Sequence, residues 1–294
     1  MLVLPPEVLA RLRPLRLHTR RGAAGHGHGL HASQQRGSGL EFSQYRSYEP
    51  GDDLRQVDWK LFARSDRYFV REAERESPLS LWIVLDATAS MTQVDQASPR
   101  TTRLDIAKGI AACGIQLALQ GSDRFGLVAV NDAQVQPTAS GLGARHRDRC
   151  LLALDAMHSG GRWPDAARLS PAWNMLTPRS LVLLLSDCFD DAVIEMAEKL
   201  AATGRDVCIV QILMADERDF PYRGGHLFVD IENAATLLGD ADALRAEYLQ
   251  RFAGARAGLQ ARCTRVGIRL ATHFADAPVD ASLHALFGAK ARTA

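Results

Sequence analysis

An acid and two hydroxyls alternate in Asp86-Ala87-Thr88-Ala89-Ser90, directly after the apolar run Leu81–Leu85. Oxygen donors of this kind on one tight turn suit a hard cation, since Mg²⁺ takes oxygen ligands in near-octahedral geometry and keeps several of its waters. With the hydroxyls binding directly and the carboxylate through water, the set carries little charge. The ion would stay electrophilic enough to take a carboxylate from a partner. A second acid, Asp187, follows the apolar run Leu181–Leu185 and can supply an outer anion. Between the two lies Gly160-Gly161-Arg162. Turned inward, the Arg162 guanidinium can neutralise Asp86 and Asp187 in place of the metal. It and Mg²⁺ exclude one another, because like charges about 4 Å apart repel by about 4 kcal/mol at an effective dielectric of about 20. Turned outward, it leaves the shell to Ser159 or water. Three readings therefore stand together: a weak Mg²⁺ site, an arginine-filled substitute for one, and plain helix capping by Thr88 and Ser90.

A second group of ionisable residues runs Arg46-Ser-Tyr48-Glu-Pro50-Gly51-Asp52-Asp53-Leu54-Arg55-Gln-Val-Asp58-Trp59-Lys60. Pro50-Gly51 signals a turn, and Asp52 and Asp53 suit that turn and a following cap. Arg46, Arg55 and Lys60 can pair with Glu41, Asp52, Asp53 and Asp58, with Tyr48 and Trp59 packed beneath. The segment reads as an ion-pair knot or as a recognition surface, and the two are compatible.

These residues need a frame. From residue 79 onward, apolar strands alternate with helices: strands at 79–86, 124–131, 180–186, 206–214 and 268–272, and helices at 102–120, 145–157, 165–175, 190–203, 241–265 and 282–287. Residues 133–137 fit an edge strand and 227–230 a short one. Strands apolar throughout, with helices between them, imply a mostly parallel α/β sheet covered on both faces, a doubly wound architecture. In such sheets the ligand crevice lies beyond the carboxyl ends of the strands, which is where Asp86 and Asp187 fall. Residues 1–20 fit a short amphipathic helix and arm with Leu9, Leu12 and Leu15 on one side. Residues 21–78 form a smaller N-terminal region, 79–275 the sheet domain, and 276–294 a closing helix and tail.

The chain has 294 residues, 47 % of them apolar, and a net charge of +1, which gives no global reason to expect nucleic acid or a membrane surface. Before Glu41 the only acid is Glu7, against Arg11, Arg13, Arg16, Arg20, Arg21 and Arg36. That basic arm is either a solvated tail or a contact for an acidic partner. The five cysteines are widely spaced without a C-x-x-C, so the simplest setting is a reducing cytoplasm. The N-terminus lacks the apolar core of a signal peptide, and no run approaches eighteen apolar residues. His18, His26, His28 and His31 could hold a transition metal, but read more simply as loop. A haloacid-type phosphatase needs a second acid where Thr88 stands. No P-loop, G-x-S-x-G or strand-following G-x-G-x-x-G occurs, which argues against ATP hydrolysis.

The Asp86–Ser90 turn resembles the metal-ion-dependent adhesion site of von Willebrand factor A domains, whose pattern is D-x-S-x-S with a threonine on a second loop and an aspartate on a third. Thr88 keeps the first hydroxyl and Asp187 matches the third-loop acid. Gly160-Gly161-Arg162 departs from the expected Gly-Gly-Thr. Gly29-Leu-His31-Ala-Ser33, Gly39-Leu-Glu41-Phe42, the Arg46–Lys60 stretch, Ala63-Arg64 and Arg71-Glu72 are similar to the bacterial domain-of-unknown-function 58 family. The resemblance implies a von Willebrand A-like domain and a protein acting beside a MoxR-type AAA+ ATPase as a chaperone-like adaptor. Longer members carry transmembrane helices, so this chain looks like the short cytoplasmic kind. The leading expectation is a non-enzymatic protein-binding adaptor with Asp86, Thr88, Ser90 and Asp187 at its rim and Arg162 as modifier. The alternatives are a metal-dependent hydrolase and a structural scaffold.

Overall fold

The computed structural model describes residues 3–20, 42–48, 57–73, 78–133, 135–229 and 236–288. The chain divides into two compact units, Gly22–Pro78 and the remainder, Met1–Arg21 with Leu79–Ala294. Helix α1 (Pro6–Leu12) opens on a proline at its first turn, where the missing N–H would be unpaired anyway. It buries Val8 and Leu12, with Leu15 just beyond it, and Leu9 is only half-buried. The buried stripe thus starts one residue earlier than Leu9-Leu12-Leu15 suggests.

In the smaller unit, β1 (Phe42–Ser47) and β2 (Phe69–Ala73) pair antiparallel around α2 (Trp59–Ser65). Asp58 caps α2, accepting the N–H groups of Lys60 and Leu61 at 2.9 and 3.0 Å, a contact of the kind that contributes about 1 kcal/mol.

The larger unit continues with β3 (Ser80–Asp86), a ribbon of β4 (Val94–Asp95) and β5 (Ser98–Thr102), then α3 (Arg103–Gln120), β6 (Arg124–Val130), β7 (Val135–Gly141), α4 (Gly143–Asp155) and α5 (Ala166–Trp173). Next come β8 (Leu181–Ser186), α6 (Asp191–Ala202), β9 (Asp206–Leu213) and α7 (Ala215–Asp219). A second ribbon of β10 (Gly225–Val229) and β11 (Thr236–Asp240) precedes α8 (Ala241–Arg265), β12 (Arg269–Phe274) and α9 (Ala281–Phe287). The helix starts follow local chemistry. Thr102 and Asp105 form a reciprocal capping box on α3, and Asp165, Asp190 and Asp240 cap α5, α6 and α8.

Six strands build the central sheet in the order β12-β9-β8-β3-β6-β7, every neighbouring pair parallel except β6 with β7. The doubly wound, mostly parallel α/β sheet expected from the alternating pattern is therefore present. Alternate strand residues feed two cores. Leu81, Ile83 and Leu85 pack with α1, α3, α4 and α9, whereas Trp82 and Val84 pack with α5, α6 and α8. From β3 the chain moves outward to β6 and β7, and from β8 it moves outward the other way. The order therefore reverses between β3 and β8, and a crevice at the carboxyl ends is a consequence of this connectivity. No helix among the described residues is long and apolar enough to cross a membrane.

Candidate functional site

Asp86 ends β3 and Asp187 follows the last residue of β8, so the reversal point itself brings them together. The Asp86 carboxylate is held from three sides. Its Oδ1 accepts the Thr88 N–H at 3.0 Å and the Thr88 hydroxyl at 2.7 Å, and its Oδ2 accepts the Ser186 hydroxyl at 2.6 Å. The Thr88 and Ser90 hydroxyl oxygens lie 3.1 Å apart. Thr88 stands at the N-cap of the short 3₁₀ turn Ala89–Thr92 without making a side-chain cap bond, so the capping alternative fails for that residue. Asp86 and Asp187 are each 2 % exposed, and Ser90 is half-buried.

The middle loop joins through its backbone. The Ala89 N–H donates to the Gly161 carbonyl and the Gly160 N–H to the Ala87 carbonyl, both at 2.8 Å. Gly161 has φ +67°, and a Cβ there would fall 1.8 Å from Asp132 Oδ1. Only glycine satisfies both demands. The side chain of Arg162 is exposed. Expected as the modifying cation, it lies at the surface because the loop docks by carbonyls and N–H groups rather than by its side chain.

A different arginine is buried at the site. Arg103, 1 % exposed, donates to Asp187 Oδ2 at 2.6 Å, to Glu217 Oε1 at 2.5 Å and to the Ser90 carbonyl at 3.1 Å. Glu217 in turn accepts the Met214 N–H at 2.7 Å. The exposed ring of Phe189 lies 5.3 Å from the guanidinium carbon. The reading from sequence missed Arg103. The available signal was a cation in the first turn of an apolar helix, where the dipole disfavours positive charge unless an acid is supplied from elsewhere.

Two carboxylates, Asp187 and Glu217, thus share one guanidinium, and Asp86 stands close enough to feel the Asp187 charge. Burial, and then the Asp187 charge, raise the Asp86 carboxyl to about 6, against the opposing hydrogen bonds from Ser186 and Thr88. Burial also raises Glu217, with Arg103 pulling the other way. Cys188, at φ +61°, has its thiol pushed upward by burial and by Asp187 and Asp86. Negative charge and an adjacent hydroxyl pair are what a hard divalent cation takes, but among the described residues no three acids, histidines or cysteines converge to hold one. Arg103 has already neutralised much of what would hold one tightly.

The second group divides differently. Pro50, Gly51, Asp52, Asp53 and Arg55 lie outside the described residues, as do His26, His28 and His31. Arg46 lies in β1 opposite Val70. The Tyr48 N–H donates to the Tyr68 carbonyl at 3.0 Å, and Asp58 is the cap of α2. Trp59 meets Phe62 and Tyr68 edge-on and remains 57 % exposed rather than packed beneath, and Lys60 is exposed.

The family described as "Protein of unknown function DUF58" matches residues 44–258. The uncharacterized protein Rv1480 of Mycobacterium tuberculosis and the uncharacterized protein Mb1516 of Mycobacterium bovis are each 26 % identical over 256 residues, 86 % of this chain and 80 % of theirs. Among solved structures, the conserved hypothetical protein BatB from Bacteroides thetaiotaomicron is 14 % identical with a TM-score of 0.43, covering 70 % of this chain and 95 % of that one. The SpRpn10 VWA domain is 14 % identical with a TM-score of 0.41, covering 69 % and 92 %. At these values neither structure bears on activity or partner.

Proposed function

The chain belongs to the DUF58 family, and from that premise we propose that it is a non-enzymatic protein-binding adaptor that presents the carboxyl rim of its sheet to a partner. The observation that carries this reading is the saturation of the buried acids. Both oxygens of Asp86 accept hydrogen bonds, and Asp187 is bonded by Arg103 and by the Phe189 N–H. Groups so engaged are poorly placed to take a proton from a substrate, which weighs against the hydrolase alternative. Phe189 and Arg162 are exposed beside the half-buried Ser90, an aromatic ring and a cation suited to a protein surface.

Thr88 and Ser90, backed by Asp86, would hold Mg²⁺ if it binds, and the ion would supply an electrophilic pole for a partner's carboxylate. Arg103 makes that binding weak. The partner class is a MoxR-type AAA+ ATPase and the setting the cytoplasm, as the family resemblance implies. Biolayer interferometry against such a purified ATPase tests this. Ser90→Ala and Phe189→Asp should each weaken binding at least about tenfold, a change worth about 1.4 kcal/mol, whereas EDTA changes it less than about threefold. Unchanged binding by both variants would remove the rim from the mechanism and favour the scaffold alternative.

A further inference from the structure

The opposite end of the sheet carries a second surface. Burial alternates along the arm that follows α1 in the chain. Leu15 is buried, Leu17 and Thr19 are half-buried, and Arg16, His18 and Arg20 are exposed. Those three cationic or ionisable side chains line one cleft of about 670 Å³ whose other walls include Pro14, Leu286 and Phe287. The arm is tied to the amino ends of two strands. The Arg20 N–H donates to Asp206 Oδ2 at 2.6 Å, and Arg269 donates to the His18 carbonyl at 3.1 Å. The His18 ring stands edge-on to Phe287 at 5.8 Å.

The cleft's positive charge is not balanced locally. Among the described residues no carboxylate pairs with Arg16 or Arg20, and the nearby Asp206 and Asp280 are occupied by Arg269 and Arg11. Arg16 uses one guanidinium nitrogen for the carbonyls of Arg13 and Leu15 and has further donors to offer. Alternate residues of an extended chain are about 6.6 Å apart. The exposed Arg16, His18 and Arg20 therefore suit alternate acidic side chains of an extended peptide, whose intervening apolar residues can lie over the exposed Pro14. A strand of nucleic acid would want exposed aromatic faces, and Phe287 is only 4 % exposed.

We infer that this cleft docks an extended acidic segment of a partner polypeptide, independently of the carboxyl rim. The test uses the full chain and a fluorescein-labelled peptide of roughly ten residues alternating glutamate and leucine, with a glutamine-leucine control, read by anisotropy. The acidic peptide should bind, the control should not, and added salt should weaken the complex. Arg20→Glu and Arg16→Glu should each lower affinity at least about tenfold. The Arg20 tie to Asp206 is made by its backbone, so Arg20→Glu leaves the arm anchored, and an unchanged melting temperature checks this. Absence of binding, binding indifferent to both substitutions, or equal or tighter binding of single-stranded DNA or phosphatidylserine vesicles would each overturn the inference. Ser90→Ala should leave peptide binding unchanged, so failure here and failure of the rim proposal are separable.

Discussion

Each end of the sheet buries an arginine against an aspartate, but the two pairs do different work. At the amino end, Arg269 meets Asp206 at 3.2 Å, and its two terminal nitrogens also donate to the Leu286 and His18 carbonyls, while its Nε finds no partner. One charge answers one charge, and the surrounding bonds are to backbone, so the pair acts as a lock. At the carboxyl end, Arg103 answers both Asp187 and Glu217, with Asp86 close enough to be raised by Asp187. Charge there is unbalanced and two hydroxyls stand beside it. A buried ion pair is therefore not a functional sign by itself; the surplus around it is.

The largest effect separating the two ends is expected from removing each cation. Arg103→Met strands the buried Asp187 and the half-buried Glu217 and should cost about 3–5 kcal/mol in urea unfolding. Arg269→Met should cost less, because the Arg20 N–H still satisfies Asp206. Equal losses would erase the distinction drawn here.

The next effect depends on pH. His273, on β12 and 2 % exposed, has both ring nitrogens without a partner, and burial lowers it to about 4, only partly resisted by Asp276 and Asp280. The unfolded imidazole titrates near 6.5. Its contribution is intact above that value, is lost as pH falls toward 4, and amounts to about 3 kcal/mol. Asp86, raised in the folded state, adds stability as pH falls from about 6 toward its unfolded value, in the opposite sense. Subtracting the His273→Leu profile from that of the wild type isolates the imidazole, and a flat difference between pH 6.5 and 4 would reject this account.

A smaller loss, about 1–3 kcal/mol, is expected for Gly161→Ala, from the added contact with Asp132 and the positive φ. Thermal melting should register it, and a neutral result would mean that the middle loop is free to move away from the site. The smallest effect is that of Mg²⁺. At ten times its dissociation constant, a bound ion stabilises by about 1.4 kcal/mol. The shift should be lost in Thr88→Val and unaffected by Arg20→Glu at the other end.

Much of the frame was legible because long periodic segments declare themselves. Helix α8 spans the expected 241–265, and the apolar runs became strands within one or two residues. The β4–β5 ribbon escaped because Ser98–Thr102 is nearly all exposed and carries no alternation. At the site, oxygens from Asp86, Thr88 and Ser90 could be grouped because neighbours on one turn stay neighbours in space. The counter-charge could not, since Arg103 reaches Asp187 across 84 positions of chain. For Arg162 the sequence left inward and outward orientations open, because adjacency to two glycines does not fix where a long side chain ends, and the exposed position matches the outward one.

Arg103 is also the opening residue of α3, an 18-residue rod roughly 27 Å long that shares the core face with α1 and α9. The guanidinium that neutralises Asp187 is thus carried on the first turn of that rod, whose start is fixed separately by the Thr102–Asp105 capping box. Its body packs in the same core as α1 and α9, so the two poles of the sheet rest on one shared helix.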